Sequence, residues 1–241
     1  MKNHTITLLS LLWIGIYANG LGQGAILVQH SGSADPTTEG FTLGVSGTGT
    51  TILGPVTNDL GMNAWTVGGG NVVNYSQSLT PIPNEDWTLS IDVRVIQSGQ
   101  GFNPNNWATF LAGNEGFALG FGTDSNGNAT VWINNILTGT LPGSQPAFTL
   151  SGGGSVYNSY QLDYSAVANT ASLWVNGTEE VSDISGVSGF SAWSVDWGRG
   201  QGGPSQANWN SVSLSIPEPS SAVLILLGGG GLFYLRRKYH R

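Results

Sequence analysis

The residues of this chain that could do chemistry are few: fourteen Asp and Glu, three His and nine Trp, with no cysteine at all. The lack of cysteine removes disulfides, thiolate metal sites and thiol nucleophiles together. Glycoside hydrolysis, the reaction most open to a carboxylate-bearing chain, needs two carboxyl groups at a defined separation. Glu85, Asp92, Glu115, Asp163, Glu179 and Glu180 are scattered, so only the fold could pair them, and no catalytic residue is assigned. His4 and His240 sit in the terminal segments, which leaves His30 alone in the interior. A lone His builds no zinc site, and a triad would require a suitably placed Ser beside it. A solvated strand end is therefore its expected place. Asp124-Ser125-Asn126-Gly127-Asn128 alternates oxygen donors as calcium loops do. Its Gly comes two positions too early for an EF-hand, however, and no downstream Glu completes the set, so a hairpin turn is expected there. Neither a metal nor a cofactor is expected.

Two tryptophans stand out by position. Trp132 lies off the apolar parity of Val131 and Ile133, and Trp174 off that of Leu173 and Val175, so each indole emerges from the opposite face of its strand. An indole there either stacks on the C–H face of a sugar or packs under a covering loop as a second core. The surrounding pattern is that of sheets. Trp87, Leu89, Ile91, Val93 and Val95 share one parity, with Thr88, Ser90, Asp92 and Arg94 on the other, and similar alternation runs through Phe117–Phe121, Tyr160–Tyr164, Trp193–Trp197 and Val212–Ile216. Asn126-Gly127 and Asn176-Gly177 supply the positive φ angles of tight hairpins. The Gly-rich stretches 152–154 and 198–203 are expected as surface loops. Half-buried strands in this number predict an all-β fold of two packed antiparallel sheets.

Glycine is abundant, at 37 residues, and charged types make up only 9%, but a 39% hydrophobic content is enough to build one core. Lys2, Arg236, Arg237, Lys238 and Arg241 lie at the ends, so Arg94 and Arg199 are the only basic residues between them apart from His. An interior this acidic repels phosphate backbones, which excludes nucleic acid as a partner. Lys2, the apolar run Ile6–Ile16 and the small residues Ala18-Asn19-Gly20 fit a secretory signal peptide over residues 1–22, to be handled by the general secretion machinery and signal peptidase. A β-domain over 23–216 is expected to follow, then a tail over 217–241. In that tail Pro217-Glu218-Pro219 precedes the apolar stretch 222–235, a transmembrane helix by expectation, and the basic cluster Arg236-Arg237-Lys238. Basic residues on that side stay cytoplasmic, which places the domain outside.

This order of Pro-Glu-Pro, short Leu- and Gly-rich helix and basic terminus resembles the PEP-CTERM tail of Gram-negative bacteria that secrete exopolysaccharide. The resemblance implies that an exosortase, a membrane-embedded cysteine transpeptidase, reads Pro217, Glu218 and Pro219 and processes the chain near them. It also implies that the membrane holds the protein only in transit to the cell surface or extracellular matrix. From Tyr160 onward, the Tyr-x-Leu-x-Tyr strand, Ala171-Ser172-Leu173-Trp174-Val175-Asn176-Gly177 and the closing Trp209–Leu214 strand resemble concanavalin A-like and laminin-G-like jelly rolls, with the last strand beside the first near Ala25–Gln29. Glycosidases of that architecture carry Glu-x-Asp-x-x-Glu on one strand, a run this chain does not have. The expectation is thus a non-enzymatic envelope protein that associates with exopolysaccharide through Trp132 and Trp174. The alternative is a polysaccharide-acting hydrolase or lyase of jelly-roll fold.

Overall fold

The computed structural model describes residues 25–98, 105–138, 147–200 and 203–217. The expected signal peptide, Glu218, Pro219, the expected helix 222–235 and the basic cluster lie outside the described residues. Among those described, no helix is long and apolar enough to cross a membrane. Residues 26–215 make up one compact unit.

In chain order the strands begin with β1 (Ala25–Ser31), β2 (Thr42–Ser46), β3 (Thr51–Asp59), β4 (Met62–Gly69) and β5 (Val72–Ser78). Next come β6 (Trp87–Gln97), β7 (Asn106–Ala112), β8 (Glu115–Thr123), β9 (Ala129–Ile133) and β10 (Phe148–Leu150). The rest are β11 (Asn158–Ser165), β12 (Thr170–Val175), β13 (Thr178–Ile184), β14 (Val187–Ser188), β15 (Trp193–Arg199) and β16 (Ser205–Ile216). They form two sheets, as the alternation predicts. The first sheet runs β13-β12-β11-β6-β16-β4-β3, with β1 beside β16, so the last strand does lie beside the first. The second runs β10-β9-β8-β7-β15-β5-β2, with β14 beside β8.

The apolar parity of each strand faces the space between the sheets. Leu89, Ile91, Val93, Leu162, Leu173, Val212 and Leu214 of the first sheet are buried there with Phe110, Phe117, Leu119, Phe121, Val195 and Trp197 of the second. The middle of the core is aromatic. Trp197 stacks on Tyr75 at 4.8 Å and on His30 at 4.7 Å, and its ring centroid lies 5.1 Å from that of Trp209. Rings of this size each remove about 150–250 Å² from water, which is how a glycine-rich chain without disulfides reaches adequate burial. Trp65 Nε1 donates to the Tyr75 hydroxyl at 2.9 Å, so this wall of the core also has a satisfied polar contact.

Both expected hairpins form. Asn176 and Gly177 sit at φ +49 and +82 between the paired residues Val175 and Thr178, a two-residue turn. Around Asn126-Gly127 the loop is longer, closing at Thr123 and Ala129 with Gly127 at φ +75. Here the Asp124 carboxylate accepts from the backbone N–H groups of Asn126 and Asn128 and from the Asn128 amide. These donors hold its pKa low although the group is exposed. Its oxygens are thus taken up in capping the turn.

Two expectations are corrected. His30 is not at a solvated strand end: it is fully buried, because β1 lies against the sandwich and carries its ring onto Trp197. The stretch 198–203 is not loop throughout, since Gly198 and Arg199 complete β15. Gly198 is there because a Cβ would fall on the Val73 carbonyl of the neighbouring strand at its φ of +145. Arg199 is buried, and its Nη2 donates to the Gly203 carbonyl.

Candidate functional site

Five strand ends meet at one end of the sandwich and enclose a cleft of ≈ 330 Å³. The first sheet contributes Trp87, the first residue of β6, and Tyr164, near the end of β11. Register places these two opposite one another, and their rings stack at 5.0 Å, 8° from parallel. From the second sheet come Ala112, Glu115, Phe117 and Trp193, where β7 ends and β8 and β15 begin. Trp87 and Phe117 are buried and form the floor, while Tyr164 and Trp193 are half-buried and stand at its sides.

The β7–β8 hairpin explains the wall at Trp193. Ala112 pairs with Glu115, which leaves Gly113-Asn114 as a two-residue turn, with Gly113 at φ +68. A Cβ on Gly113 would lie 3.0 Å from Trp193 Nε1, so glycine both makes the turn and admits the indole. The Gly113 N–H donates to the Ala192 carbonyl at 2.9 Å and the Leu79 N–H to the Trp193 carbonyl at 2.8 Å, fixing the backbone that carries the ring.

Ile82 and Pro83 add apolar surface, and the polar groups of Asn84, Glu85, Asn114, Glu115 and Asn169 complete the lining. The Tyr164 hydroxyl donates to Asn169 Oδ1 at 2.9 Å, and Asn169 Nδ2 reaches Glu115 Oε1 at 3.5 Å, a chain across the cleft wall. Burial, with the charges of Glu115 and Asp86 adding to it, raises the Tyr164 phenol above its ordinary value, so it stays protonated and donates. Asp86 is nearby on the chain, accepting from the Ala166 N–H. Aromatic faces for C–H surfaces, amides and carboxylates for hydroxyls, and a concave shape are what a saccharide site requires. Among the described residues no group of three His, Asp or Glu is placed to hold a metal ion.

Trp132 and Trp174 are not brought together. Trp132 lies on β9 of the second sheet and Trp174 on β12 of the first, each on the face turned away from the shared core. Trp132 is buried to 6% exposure, in company with Thr109, Ala118 and Thr130 on the same outer face, so this sheet is buried on both sides there. Trp174 is half-buried between Gln161 and Glu179, and its indole N–H is without a partner. Pro217 is exposed just beyond β16. Sequence reasoning did not single out Tyr164 and Trp193 as site residues, because both share the apolar parity of core positions. The one local signal was Gly113-Asn114 between two alternating runs.

Residues 215–238 match the PEP-CTERM protein-sorting motif. Such a motif implies an exported protein, anchored transiently at the membrane and processed by an exosortase. A search of the curated proteins finds no match. Among solved structures, a carbohydrate esterase from the Shiga toxin-encoding bacteriophage phi24B aligns with a TM-score of 0.58 at 12% identity, over 80% of this chain and 99% of that one. A Bacillus licheniformis β-glucanase aligns with a TM-score of 0.46 at 11% identity, over 80% and 99%. A botulinum neurotoxin serotype D/C binding domain aligns at 0.48 and 11%, over 85% of this chain but only 52% of the other, so the chain spans about half the length of that relative. The likeness to the esterase is one of fold and agrees with the jelly-roll resemblance.

Proposed function

We propose that this is a non-catalytic protein of the cell surface or extracellular matrix whose sandwich associates with secreted polysaccharide through the end cleft. One observation carries the reading: the sides of the cleft at Tyr164 and Trp193 are aromatic, and its rim presents side-chain amides and carboxylates. The sorting motif supports the same address. In this account residues 1–22 direct export through the general secretion machinery and are removed by signal peptidase. Residues 222–235 hold the chain in the membrane with Arg236, Arg237 and Lys238 on the cytoplasmic side, and the exosortase recognises Pro217, Glu218 and Pro219. Trp174 offers a second, separate contact on the outer face of the first sheet, whereas Trp132, buried on the outer face of the second, packs there as part of a second core.

The test is retention of the full-length protein on exopolysaccharide from its host. Trp193→Ala is expected to weaken retention about tenfold, equivalent to about 1.4 kcal/mol, with the fold otherwise native. Retention that survives Trp193→Ala but is lost in Trp174→Ala would move the site to the outer face of the first sheet. A second reading, a polysaccharide-cleaving enzyme, is favoured by one feature: Glu85 and Glu115 line the same cleft, and a carboxyl pair is the machinery of glycoside hydrolysis. Release of reducing ends that Glu115→Gln abolishes would establish it in place of the first.

A further inference from the structure

The cleft has a charge as well as a shape, and that charge narrows its occupant. Glu85 and Glu115 line it, and Asp86 lies close enough to act on Tyr164. Among the described residues no basic side chain lines it. The two arginines within the described residues are both committed elsewhere, Arg94 in an ion pair with Asp59 and Arg199 in the interior with Gly203. Within residues 25–217 the chain carries thirteen Asp and Glu against two Arg, so the charge around the cleft is negative in balance. An acidic polysaccharide approaching this end is repelled, and a neutral one is indifferent to the carboxylates beyond their acceptor oxygens. A positive group gains twice, since the carboxylates attract it and the faces of Tyr164 and Trp193 are electron-rich surfaces on which an ammonium rests favourably.

Building on the glycan reading of the same cleft, we infer that its occupant is an amino sugar with a free, protonated amine, and that the polysaccharide it holds carries unacetylated hexosamine. The ammonium lies between Glu85 and Glu115, the sugar's C–H face lies on Trp193, and Asn84, Asn114 and Asn169 serve the ring hydroxyls. Acetylation would remove the charge and add bulk where the carboxylates sit.

Three probes separate the outcomes, each titrated into the full-length protein by calorimetry: glucosamine oligomers, their N-acetylated counterparts and galacturonate oligomers. The free-amine oligomers are expected to bind about tenfold more tightly than the acetylated ones, equivalent to about 1.4 kcal/mol, with the preference shrinking in high salt as the charges are screened. Glu85→Gln with Glu115→Gln is expected to bring the two affinities level by removing the roughly tenfold advantage of the free-amine oligomers. Glu85→Gln alone, at an exposed position, is expected to remove part of the preference without any cost to folding. Equal affinity of wild type for amine and acetylated oligomers, or tightest binding to galacturonate, overturns the amino-sugar inference but not the glycan reading. Absence of binding to all three, with Trp193→Ala also silent on host polysaccharide, overturns both.

Discussion

His30 shows how much a single side chain's surroundings decide. Its Nδ1 lies 2.6 Å from Glu39 Oε2 while Nε2 is buried without a partner, an arrangement that suits a neutral ring with its proton on Nδ1. Burial dominates and lowers its pKa below the ordinary 6.5, against the opposite pull of Glu39 and Asp35. On acidification the unfolded chain therefore takes up the proton first, so the folded state keeps its full stability above pH 6.5 and loses it as pH falls from there toward the depressed folded value. The melting temperature is expected to drop as the pH falls below about 6.5. His30→Phe, which keeps a ring against Trp197, is expected to flatten that drop, and an unchanged slope would mean that other groups control it. Asp59 works at lower pH. Burial pushes its pKa up, but hydrogen bonds from Asn208 and Tyr157 and the charge of Arg94 outweigh this and hold it below 3.8, so its contribution is lost only in stronger acid.

Among the elements, the β7–β8 hairpin is where fold and function meet. Its turn glycine is required twice, by a φ of +68 and by the indole 3.0 Å from where a Cβ would be. Gly113→Ala is expected to cost about 1–3 kcal/mol in denaturant unfolding, the penalty of a side chain in the left-handed region. It should also displace Trp193 and weaken glycan binding, which intrinsic fluorescence reads directly. Gly177→Ala, at φ +82 in the β12–β13 turn with open space around it, is expected to bring a similar backbone penalty and no change in binding. If Gly113→Ala shifts the fluorescence but leaves binding untouched, Trp193 is not part of the site. The clean alternation of β6 made that strand legible from sequence, whereas β2 to β5 were not. β3 is an edge strand with a weak burial pattern, and β4 is buried continuously from Ala64 to Gly69, so neither shows a period of two.

At the scale of the whole molecule, the sorting motif and the cleft lie in different parts of the chain. The sorting motif occupies residues 215–238, and the cleft lies entirely within the compact unit 26–215. Deleting 217–241 is therefore expected to release a folded, polysaccharide-binding domain into the soluble fraction, scored by fractionation and by intact mass, while the full-length chain stays with the membrane until processed. A truncated chain that remains membrane-bound would place the anchor elsewhere. The acidic balance of the domain discourages association with phosphate-bearing polymers.

Residue order alone determined the features that depend on near neighbours: the period of two that turns Trp87 to Val93 inward, the positive φ angles of Asn176-Gly177, the acidic balance and the sorting tail. Tertiary structure alone decided the features that depend on which distant strands become adjacent. Trp87 meets Tyr164 because β6 pairs with β11, Glu115 shares a cleft with Glu85 because the two sheets end together, and His30 is buried because β1 returns to β16. Side-chain parity is a property of the local backbone, but strand order is selected by the packing of the complete core, and no short stretch of residues contains it.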